Sequence, residues 1–95
     1  MTEKTAFQEK IKSGAAVLVV ETAPPRGADP SPLREAAKAY AGKVNALGLS
    51  DNRDGARMSA LAAAALVAAE GVEPILHMVT RDRNRLALIS ECLGA

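Results

Sequence analysis

The chain has 95 residues, 48% of them hydrophobic and 24% charged, with a net charge of +1. That is an ordinary globular balance and enough material for one small domain with a modest core. So even a charge argues against nucleic acid as a partner, and Phe7 and Tyr40 are too few aromatics for a stacking platform. The lone cysteine, Cys92, allows neither an internal disulfide nor a multi-cysteine metal site. With no secretory leader expected, it fits a reducing, cytoplasmic setting. No apolar stretch is long enough to span a bilayer; the nearest, residues 60–69, is short and mostly alanine.

In chain order, Thr5 followed three residues later by Gln8 predicts a capping box, and Gly14 predicts a stop. A short helix is therefore expected over 6–13, with Phe7 and Ile11 on its apolar side. The unbroken run from Ala15 to Val20 predicts a first strand over 16–21, buried on both faces as parallel strands are. It ends at Glu21, before Thr22-Ala23-Pro24-Pro25-Arg26-Gly27, where proline cannot extend a ladder. After a loop to Pro30, Ser31 is the expected cap of a helix with Pro32 in its first position. That helix should reach Ala41, stop at Gly42 and bury Leu33, Ala36, Ala37 and Tyr40.

A second, less apolar strand is expected over 44–49, then the polar loop Ser50-Asp51-Asn52-Arg53-Asp54-Gly55. The alanine-rich stretch 57–70 predicts a helix able to approach a sheet closely, with Met58, Leu61, Ala65 and Leu66 inward and Gly71 closing it. A third strand is expected over 74–79 and a last helix over 84–93. One helix followed by three βα units implies parallel strands with right-handed crossovers. The fold class is thus α/β. The three units suit either an open three-stranded sheet or the first three-eighths of a (β/α)8 TIM barrel, an incomplete barrel, since a full one takes about 250 residues. A three-stranded parallel sheet left alone exposes two edges. An incomplete chain, or one that needs a partner, is therefore expected.

In parallel α/β sheets, chemistry gathers at the carboxyl ends of the strands. Here those ends supply Glu21, then Ser50, Asp51 and Asn52, then His77, Thr80 and Asp82. Each has a plainer reading. Glu21 can simply meet solvent, His77 can be a hydrogen-bonded core residue, and Asp82 can be the cap of the last helix. Arg26, Arg53 and Arg57 are either solvated loop charges or bidentate partners for phosphate or carboxylate. Gly27 and Gly55 form no dinucleotide or phosphate-loop motif, and one His with one Cys gives no metal constellation.

Three segments together carry a resemblance: Glu21-Thr22-Ala23-Pro24-Pro25-Arg26-Gly27-Ala28-Asp29, then Ser50-Asp51-Asn52, then His77-Met78-Val79-Thr80-Arg81-Asp82-Arg83-Asn84-Arg85. In order and spacing they resemble the N-terminal part of methylenetetrahydrofolate reductase over nearly the whole chain. The resemblance implies a flavin-dependent TIM barrel that moves a hydride from NAD(P)H through FAD to 5,10-methylenetetrahydrofolate, giving 5-methyltetrahydrofolate. It implies that Glu21 is the catalytic acid that protonates the folate nitrogen as the ring opens. A carboxyl group does this near neutral pH only when buried, and the apolar strand predicts that burial. It implies cofactor contacts from Ser50, where the family usually has threonine, and from His77. It also implies them from the loop holding Asp51 and Arg53, largely through backbone, so that side-chain identity there matters less. Thr80 stands where many members have cysteine. Later strands that complete the FAD and folate sites are not among these residues. The isolated chain is therefore expected to have little or no reductase activity, its partners being the folate and either the barrel remainder or further copies of itself. Two other classes fit the same residues. One is a non-catalytic partial-barrel module that pairs with a partner chain. The other is a pterin or corrinoid methyl-transfer barrel, which needs no flavin.

Overall fold

A computed structural model describes residues 5–95. The elements follow in the order α1 (Ala6–Lys12), β1 (Val19–Thr22), α2 (Ser31–Tyr40), β2 (Ala46–Leu49), α3 (Ala60–Ala69), β3 (Pro74–Leu76) and α4 (Arg85–Gly94). The protein is a small α/β fold with three parallel strands in sequential order β1-β2-β3.

Local chemistry sets most boundaries. The capping box at α1 is formed: Thr5 Oγ1 accepts the Gln8 N–H and Gln8 Oε1 accepts the Thr5 N–H. Ser59 caps α3 by accepting the Ala62 N–H at 3.1 Å, and Gly71 leaves that helix at φ +83°, a conformation that favours glycine. Two expected caps are corrected. Ser31 is the first residue of α2, not its cap; Asp29 Oδ1 accepts the Ser31 N–H at 3.0 Å. That bond holds the Asp29 carboxyl below the usual carboxylate range. Asn84, not Asp82, caps α4 through the Ala87 N–H at 2.8 Å, while Asp82 makes an exposed ion pair with Arg81.

Leu47 and Leu49 of β2 are fully buried beneath Leu33 and Ala37 of α2 and Ala63, Ala64 and Val67 of α3. Burying each leucine contributes about 1.5–3 kcal/mol. The inward face of α3 differs from expectation. Ala60, Ala63, Ala64 and Val67 are buried, Leu61 and Leu66 are half-buried, and Ala65 is exposed. No polar residue between Ala60 and Ala69 marks an outer face, so periodicity had no contrast to read. On α2 the expected face holds: Leu33 and Ala37 are buried, Ala36 and Tyr40 half-buried.

The largest correction concerns β1. The apolar run was expected to be buried throughout, yet Leu18 is 56% and Val19 42% exposed. β1 is an edge strand with one neighbour, and the sheet face opposite the core cluster is open beside it. The run also enters the ladder late. Asn45 clamps Leu18, accepting its N–H on Oδ1 at 2.8 Å and donating its own N–H to the Leu18 carbonyl at 2.8 Å.

Candidate functional site

Register and pleat place the strand-end residues. Glu21 pairs with Gly48, and Gly48 with Ile75. Successive residues of a strand alternate between faces, so Val20, Leu47 and Leu49 point to the helices. Glu21, Gly48 and Ser50 share the open face, and His77, two beyond Ile75, joins them. Gly48 makes the grouping possible. A methyl there would stand 3.1 Å from His77 Nε2 and 3.8 Å from the Glu21 Cα. The missing side chain leaves a flat floor between the carboxylate and the imidazole.

An open cleft of about 440 Å³ follows, lined by Glu21, Ser50, Asp51, Arg53 and His77, with Val79 and Arg81 on its third wall. The five residues to which the resemblance assigns a role thus line one cleft, whereas Asn52, Thr80 and Asp82 are not among its lining residues. Two corrections accompany this. The Glu21 side chain is 46% exposed and faces Arg53 at 3.7 Å, so the described chain does not supply the burial its apolar strand led one to expect. His77 is exposed at the rim and not in the core, because β3 ends at Leu76, short of the predicted Val79. Ser50 is 4% exposed, and its Oγ is buried without a hydrogen-bond partner among the described residues; such a group ordinarily has one.

Asp51 has the most heavily engaged side chain of the five. The carboxylate is 1% exposed and is gripped by both terminal nitrogens of Arg83. It also accepts the Val79 N–H at 2.7 Å and Asn52 Nδ2 at 3.1 Å. The Arg83 guanidinium is the chief reason its carboxyl lies below the usual carboxylate range, with burial acting in the opposite sense. Arg83 was not among the predicted site residues. Its signal was a basic residue after the third strand facing an acid after the second, and a single sequence does not pair such residues.

The remaining arginines divide. Arg57 Nη1 donates to the Pro24 carbonyl at 2.8 Å, and its Nε and Nη2 hold Asp54. Arg26 holds Asp54 from the other side at 2.9 Å. The Arg57 bond, the largest cause, brings the Asp54 carboxyl down to about 2. Asn52, in a left-handed turn at φ +46°, accepts the Arg57 N–H at 2.9 Å. These contacts tie the loops after β1 and β2 together, leaving Arg53 and Arg81 as the cations of the cleft. A larger hollow of about 830 Å³, lined by Arg26, Met58, Ala62, Ala65 and Leu66 among others, is mostly apolar and contains none of the strand-end groups. Among the described residues no group of three or more His, Cys, Asp or Glu is arranged to hold a metal ion, and no helix is long and apolar enough to cross a membrane.

Comparison with models of known protein families, with curated proteins and with solved structures finds no match.

Proposed function

We propose that this cleft is the N-terminal part of a methylenetetrahydrofolate reductase site, on the first three βα units of a TIM barrel acting in the cytoplasm. The observation that carries the reading is the convergence of Glu21, Ser50 and His77 on one sheet face at the carboxyl rim, around the bare floor of Gly48. The sequential order β1-β2-β3, with the core helices α2 and α3 on the opposite face, is the arrangement a barrel requires.

Two features suit a flavin. Ser50 Oγ is buried and lacks a partner, and Gly48 leaves room for a flat ring. Ser50, His77 and the backbone of the 50–53 loop are the residues that would hold FAD, which when bound supplies hydride transfer from NAD(P)H. Glu21 holds the proton and delivers it to the folate nitrogen. Arg53, facing it, balances the carboxylate once the proton has left. Proton delivery near neutral pH asks for a drier Glu21 than one that is half exposed, so the reading requires the rest of the barrel to cover the cleft.

The test is Glu21→Gln in the complete barrel. Folate reduction should fall by about 10²–10⁴-fold, the usual contribution of a positioned acid, while NADH oxidation by an artificial acceptor is unchanged. Equal loss of both activities would remove Glu21 from the acid role. A second reading, a partial-barrel module that pairs with another chain, is favoured by the exposed Val17, Leu18 and Val19. It predicts no selective loss in Glu21→Gln.

A further inference from the structure

We propose that the Asp51–Arg83 pair is a positioning element, fixing residues 77–81 as the third wall of the cleft opposite Glu21 and Ser50. The sheet alone does not place that wall. β3 ends at Leu76, and the strand's last contact with β2 is the His77 N–H to the Leu49 carbonyl at 3.3 Å. Past that point Val79 is held at both of its backbone groups by the pair. Its N–H donates to Asp51 Oδ2 at 2.7 Å, and its carbonyl accepts Arg83 Nη1 at 2.6 Å. Asp51 follows Ser50 directly, so the clasp joins the rim of β2 to the rim of β3. Four donors converge on the Asp51 carboxylate, which leaves it little capacity to bind a ligand. Its influence on the cleft therefore passes through Val79 to His77.

A buried ion pair is weak evidence for stability, since an apolar pair of similar volume often does as well. A bidentate guanidinium–carboxylate pair supplies direction and register, which an apolar contact does not. The inference rests on the cleft being the functional site, but its test needs neither flavin nor folate, so the two fail separately.

His77 is the only histidine in the chain, so its imidazole protons give one unambiguous NMR cross-peak. The 95-residue chain is compared with Asp51→Asn/Arg83→Gln, which removes both charges and strands neither. It is also compared with Arg83→Lys, which keeps the charge and loses the bidentate grip. The His77 and Val79 signals should move in both variants, more in the double variant, while the α3 amides hold still. A stationary His77 signal beside a shifted Val79 would overturn the proposal. So would shifts spread evenly through α3, since the pair would then stabilise the fold without aiming the wall. The unmodified chain gives an independent check by amide hydrogen exchange. Val79 should be protected like Leu47 in the ladder, and exchange as fast as an open loop would also overturn the proposal.

Discussion

β1 and β2 lie side by side in register, yet the strand fed by the unbroken apolar run from Ala15 to Val20 is the more exposed. Val19 and Val20 precede Glu21 on β1, while β2 reads Ala46-Leu47-Gly48-Leu49 and is buried at every position. The difference follows from neighbours. β2 has a strand on each side and two helices above it, whereas β1 is an edge strand with one neighbour. Hydrophobicity records what a strand is suited to have against it; position in the sheet decides what this chain places there. The same contrast runs through the site, where the buried Asp51 is fully engaged with protein and the half-exposed Glu21 faces a solvated arginine.

The widest separation between the two strands should appear in stability. Leu47→Ala removes fully buried atoms and should cost about 2–5 kcal/mol, read from urea unfolding. Val19→Ala should stay within about 0.5 kcal/mol, as surface changes do. Equal costs would mean that the β1 face is covered in solution.

Acid should act on the engaged carboxylates next. Asp51 and Asp54 are both held below the ordinary carboxylate value, Asp54 at about 2. A depressed folded value gives stability that is present above the unfolded value of about 3.9 and lost as pH falls through the folded one. The urea midpoint should therefore be flat above about pH 5 from these groups and fall between about pH 4 and pH 2. Asp51→Asn should remove more of that slope than Asp54→Asn, since Asp54 is exposed and its pairs are screened.

A small effect on stability should come with a local readout. Gly48→Ala places a methyl 3.1 Å from His77 Nε2. Because His77 is exposed and can move, the cost should be under about 1 kcal/mol, while the His77 NMR signal shifts. An unmoved signal would mean that the imidazole does not lie over Gly48.

Much of this was legible in the sequence, and the parts that were not have physical causes. The βα order showed because prolines and glycines punctuate the apolar runs, as at Val20–Pro24 after β1 and Leu66–Gly71 at the end of α3. The strand-end cluster showed because parallel strands put their carboxyl ends on one rim. The exposure of β1 did not show, since a Val/Leu run is the same whether or not its covering layer is present. The inward face of α3 was hidden by alanine on every side. The pairing of Asp51 with Arg83 joins residues 32 apart, and local spacing carries no trace of such a contact. The role of Gly48 was invisible because it depends on which residue of β3 stands beside it.

The open cleft face is tested most directly by thiol labelling of the 95-residue chain. Cys92 is exposed and is first replaced by serine. Single cysteines are then placed at Val19, on the open face, and at Val67, fully buried on α3 in the core cluster. Val19→Cys should react at close to the rate of a free thiol, and Val67→Cys only as fast as the fold opens. Equal protection of both would contradict the account, because something would then already cover the face that carries Glu21.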